Sequence, residues 1–135
     1  MLTGKSQKPD VAMAWRLADS IVALSPPGPY ARLNSDLLVA MVIARASKDA
    51  PALADSARHV IKRSEGDATV DKTRDLAWFG AMAYTMLGDK SDAVRLLKAY
   101  LAVNPQKAGG LRDDPGWAFR ELSSDTGFRQ LVGGR

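Results

Sequence analysis

His59 is the only histidine in the chain, and there is no cysteine. Zinc-type sites draw on His and Cys in groups of three or four, so none can be assembled here at the usual spacing. Disulfides are excluded as well, and redox compartment cannot be read from the thiols. Asp55, Ser56 and Arg63 share the helical face of His59 at spacings of three and four residues. Such spacing is common by chance, and a nucleophile–base pair needs its members to converge, so His59 reads as a surface helical histidine. The aspartates Asp49, Asp71, Asp89, Asp114 and Asp125 each precede an apolar-periodic stretch. That is where helix caps sit, and capping leaves no paired acid and base for catalysis. The Gly-Lys-Ser at Gly4 to Ser6 lacks the upstream glycine and the strand of a phosphate loop. No catalytic residue, metal or cofactor is expected, and the chain does not read as an enzyme.

The totals fit that reading. The 135 residues suit one domain, 46% are hydrophobic and 25% charged, so a folded core is expected without a staple. The net charge of +4 reflects 19 basic against 15 acidic side chains. A nucleic-acid reader gathers its cations in a stripe. Here they are scattered, as at Arg16, Arg32, Arg45, Arg63, Arg95, Lys98 and Arg129. A nucleic-acid partner is therefore the weaker alternative. The start is polar and lacks the apolar core of a secretion signal, and the longest apolar run, Leu37 to Ala44, is far too short to span a bilayer. The default expectation is a soluble, cytoplasmic protein with no membrane contact.

The elements that must position these residues are helices. Helical spacing predicts five of them: about Pro9 to Leu24, Asn34 to Ser47, Pro51 to Ser64, Lys72 to Leu87 and Ser91 to Val103. The Ser25-Pro26-Pro27-Gly28-Pro29 run breaks the chain after the first. Asn34 or Ser35 suits the cap of the second, Asp49 of the third, Asp71 of the fourth and Asp89 of the fifth. Gly66 and Gly88 suit left-handed stops. From Gln106 to Asp113 the chain is expected to loosen, and two short helices follow, begun by Asp114-Pro115 and Asp125. No alternation of apolar and polar residues predicts a strand.

The stretch from Leu76 to Pro105 carries a further pattern. Small residues stand where two helices would cross (Gly80, Ala81, Ala93), an aromatic closes the first helix (Tyr84), Gly88 takes the turn, and Pro105 ends the second helix. This resembles a tetratricopeptide repeat. The pair from Asn34 to Ser64 aligns through Ala57 and Ile61 as a degenerate copy, without the aromatic, the turn glycine or the closing proline. The first helix, through Ala14, Ala18, Ile21 and Pro26, is spaced like the second helix of a preceding repeat. The tail, with Trp117, Phe119, Leu122, Phe128 and Leu131, is similar to those that close bacterial arrays of this class, and a solenoid end needs such a cover.

The resemblance implies an all-α fold of stacked antiparallel helix pairs, a right-handed superhelix of about five main helices with one or two short capping helices. It divides the chain into an extended or disordered start at 1–8, a repeat domain at 9–105, and a linker with capping helices at 106–135. It implies a non-catalytic scaffold or interaction module, holding a protein or peptide in the groove formed by the first helix of each pair. The groove positions are Ser35, Leu38, Val42 and Arg45 in the degenerate repeat, and Asp75, Trp78, Met82, Thr85 and Met86 in the clear one. They make a mostly apolar channel suited to an amphipathic helix or peptide. The competing expectation is that the chain's own ends fill this channel. Self-association into a homodimer is the remaining alternative.

Overall fold

The computed structural model describes residues 11–24, 29–65 and 69–133, the side chains of Ile21, Leu24 and Trp117 excepted, and every regular element in them is helical. The polar start at 1–8, Pro9, the proline-rich break and Gly66 lie outside the described residues. Five main helices run in order: α1 (Val11–Leu24), α2 (Pro29–Ala46), α3 (Leu53–Arg63), α4 (Asp75–Leu87) and α5 (Lys90–Val103). A 3-10 turn at Pro105–Lys107 leads into three short helices, α6 (Ala108–Asp113), α7 (Gly116–Phe119) and α8 (Thr126–Leu131), with a second 3-10 turn at Arg120–Leu122 between the last two. No described helix is long and apolar enough to cross a membrane.

Four boundaries differ from expectation, one of them the start of α4, which lies at Asp75 rather than Lys72. α2 begins at Pro29 rather than Asn34, because proline at a first helical position has its φ preset and loses no hydrogen bond. Ser35 therefore lies inside the helix and is buried, and caps nothing. α3 begins at Leu53 with no side-chain cap, so the cap expected from Asp49 is not made. The chain does not loosen at Gln106 to Asp113: it turns through the 3-10 segment into α6, which buries Leu111 despite Gly109 and Gly110.

The start of α4 is built with care. Arg74 takes a left-handed backbone, φ 65°, which costs a non-glycine residue about 1 kcal/mol. That turn swings the fully buried Asp71 carboxylate over the helix end, where it accepts from the Leu76 and Ala77 amides at 3.0 and 3.1 Å. The cap expected from Asp71 is thus made across a turn, from four residues before the first helical residue, Asp75. Asn104, at the end of α5, donates to the Thr73 carbonyl at 2.9 Å and fastens the two helix ends together. At the other end Gly88, with φ 81°, closes α4 and reverses the chain into α5.

α1 packs on α2, α2 on α3 and α4, and α4 on α5. α2 and α4 run side by side in the same direction, since Tyr30 at the start of α2 feels the charges of Asp75 and Asp71 at the start of α4. Close approach needs small residues, and Ala40, Ala44, Ala57, Ala81 and Ala93 are each fully buried. Gly80 is the tightest point: a Cβ there would stand 2.8 Å from Leu96, with Ile61 and Leu37 beyond. Around these crossings sit Leu37, Ile61, Leu76 and Leu97, all nearly or wholly buried. Ion pairs stitch the outer face: Arg58 to Asp89 at 2.6 Å, and Arg95 to Glu65 through both its terminal nitrogens at 3.1 and 3.2 Å. Asp89 stands at the N-cap of α5 but its carboxylate goes to Arg58 rather than to the helix.

The tail closes the opposite end. α7 packs on α4 and α8 on α5, with Phe119, Leu122, Phe128 and Val132 buried. Asp125 caps α8 by accepting from the Phe128 amide at 3.0 Å, and Asp114 accepts from the Gly116 amide at 3.1 Å.

Candidate functional site

The residues expected to line a channel fall on α2 and α4, and the structure treats the two helices differently. On α4, Trp78 is half-buried, and its ring sits between Tyr100 and Phe119, each with its centroid 4.8 Å away. Phe119 meets it nearly edge-on, at 78°, an arrangement favoured by the ring quadrupoles. Phe119 belongs to α7 and is completely buried. The tail thus covers this face of α4.

Met82 and Met86 are half-buried against the core. Thr85 is buried and its hydroxyl donates to the Ala81 carbonyl at 2.8 Å. It lies beneath the channel rather than in its lining, because a threonine within a helix can satisfy itself on the preceding turn. Asp75 is exposed at the head of α4, and burial together with its negative charge raises the pKa of the Tyr100 phenol.

On α2 the expected positions remain open. Leu38 is 42% exposed, Val42 half-buried and Arg45 exposed. Leu38 and Val42, one turn apart, form one wall of a depression of about 170 Å³ with Val39. Ala14, Leu17 and Ala18 of α1 form the other wall, and Leu17 is 56% exposed. Ser35 is the one polar residue among those lining it. Leu17 was not singled out from the sequence, and Ala14 and Ala18 entered only as repeat-spaced positions of the first helix. Their signal was the i, i+3, i+4 spacing of Ala14, Leu17 and Ala18, a stripe separate from that of Val11 and Trp15.

The α1/α2 pair is clamped at one end. Arg32 of α2 donates to Asp19 of α1 at 2.8 Å and also faces Asp36, one turn along, at 3.8 Å. Asp36 is almost fully buried, and burial pushes its pKa above the usual carboxylate range, while the positive charges of Arg32 and Arg63 pull it back.

His59 is exposed, and the Asp55 carboxylate near it is held by Arg58 at 3.0 Å. No group of three or more His, Asp or Glu side chains able to hold a metal occurs among the described residues. Comparison with family models, with curated proteins and with solved structures found no match.

Proposed function

We propose that this chain is a non-catalytic, tetratricopeptide-like interaction module that receives an apolar or amphipathic helix of a partner protein between α1 and α2. The observation that carries the reading is the pair of exposed leucines, Leu17 and Leu38, facing each other across an apolar depression on neighbouring helices. Single exposed leucines are ordinary, but a groove walled by them is what a helix-in-groove partner needs. The resemblance to tetratricopeptide repeats supports it, since α2 is the groove helix of the degenerate copy. The reading leaves nucleic acid aside, because Arg32, Arg58, Arg95 and Arg112 already face carboxylates of the chain itself.

Selection of displayed amphipathic helical peptides on the protein tests this. Binders are expected to place leucine-type residues at i, i+3, i+4 and i+7, and to lose affinity for the Leu38→Asp chain. Selection of peptides indifferent to Leu38 and Leu17 would sink the proposal.

A second copy of the chain is the alternative occupant. It is favoured by the exposure of Met13, beside Leu17 on α1, and of Tyr30 on α2. Sedimentation at rising concentration separates the two: a strict monomer leaves only the foreign helix.

A further inference from the structure

α1 has a second open side, away from Leu17. There it forms a cleft with α3 of about 500 Å³, floored by Ile43 of α2. Val11 and Trp15 line one wall, and Leu53, Val60, His59 and Arg63 the other. The Arg63 guanidinium lies over the Trp15 ring, 5.7 Å from its centroid. A cation held on an aromatic face keeps its N–H edges free for an anion.

The charges around the cleft are unevenly matched. Asp55 is the one acid among its lining residues, and Arg58 engages it at 3.0 Å. Asp19, the acid of α1, is engaged by Arg32. Arg63 makes no ion pair with any described residue; the buried Asp36 feels its charge but lies beyond ion-pair distance. The cleft therefore joins an apolar floor to one guanidinium, that of Arg63, which has no ion-pair partner among the described residues.

We propose that this cleft is a second binding site, for an acidic peptide segment of a partner that sets an apolar side chain against Trp15 and an adjacent carboxylate on Arg63. The carboxylate would meet the guanidinium in a charge-assisted pair, and its neighbour would fill the trough between Val11 and Leu53. The site lies on the other side of α1 from the Leu17–Leu38 groove and does not depend on it.

The test is selection of random short displayed peptides on the full chain carrying Leu38→Asp, which removes binders of the other groove. Enrichment of Asp or Glu next to Leu, Phe or Trp is expected. A selected peptide is expected to shift the Trp15 indole N–H signal in an amide–nitrogen correlation spectrum, assigned with Trp15→Phe. Arg63→Gln is expected to weaken it about tenfold, with Arg63→Lys partly restoring it. Replacing the peptide's carboxylates by amides is expected to do the same as Arg63→Gln. Thermal melts of both variants check that the fold is kept. Peptides without an acidic consensus, or acidic peptides that bind the Arg63→Gln chain equally well, would overturn the proposal.

Discussion

The faces of α2 and α4 are built from the same kind of residue and meet different fates. Both carry large apolar side chains one turn apart, Leu38 and Val42 on one, Trp78 and Met82 on the other. On α4 the aromatic is clasped by Tyr100 and by Phe119 from the tail. On α2 the leucine stands 42% exposed above a depression that the described chain does not fill. An apolar stripe on a helix states only that something covers it. The covering partner depends on what the chain brings back in three dimensions, and here the described tail packs on α4 and α5.

The largest effect is expected from breaking the sealed half. Phe119→Ala removes a wholly buried ring and one side of the Trp78 clasp. Large-to-small changes of this kind cost about 3–5 kcal/mol, so urea unfolding should show most of the domain's stability margin gone. A loss below about 1 kcal/mol would mean that the tail does not seal α4.

How much of this was legible follows the same division. Gly88 and the Leu76 to Pro105 pattern marked α4, its turn and α5, because each local choice there agrees with the tertiary arrangement. The start of α2 was misplaced because Pro29, beside a proline-rich break, reads as loop when it is the first helical residue. α6 was missed because Gly109-Gly110 reads as a break, while the burial of Leu111 that holds it is tertiary. In the site, Leu38 and Val42 were marked only through the resemblance to tetratricopeptide repeats, as groove positions of the degenerate copy. Leu17 was not, because α1 carries apolar residues toward both α2 and α3, and one stripe cannot be told from another without knowing where those helices lie. That Phe119 caps something was readable; that it caps Trp78 was not.

A smaller effect is expected at the root of α4. Asp71→Ala leaves two buried amides without their acceptor. The cost should be about 2 kcal/mol, and Asp71→Asn should recover part of it. Because Asp71 sets where α4 begins, hydrogen exchange should rise first at Leu76 and Ala77. Uniform exchange across the chain would show that the cap stabilises the domain without positioning Trp78.

On the open half the electrostatics run the other way. Burial raises the Asp36 pKa, so folding disfavours its charged form. The stabilising contribution of the neutral acid is complete below the ordinary Asp range and is lost as pH rises through the raised value. Asp36→Asn should therefore gain on the parent chain between about pH 3 and pH 7, as read from melting temperatures across that interval. The gain should stay small, since Arg32 and Arg63 offset the burial. A variant that loses ground with rising pH would show those arginines outweighing desolvation.

The smallest expected change in stability is the sharpest test of the comparison. Leu38→Asp replaces a side chain that is 42% in solvent, and surface changes away from caps and cores usually fall within about 0.5 kcal/mol. Trp78→Ala, at the matching position of α4, removes the ring clasped between Tyr100 and Phe119 and should cost several times more. If the two substitutions cost the same, the α2 face is covered in solution as the α4 face is, and the groove is core. If Leu38→Asp leaves the melting temperature in place while abolishing capture of amphipathic helical peptides, the exposed leucine is kept for a partner rather than for the fold.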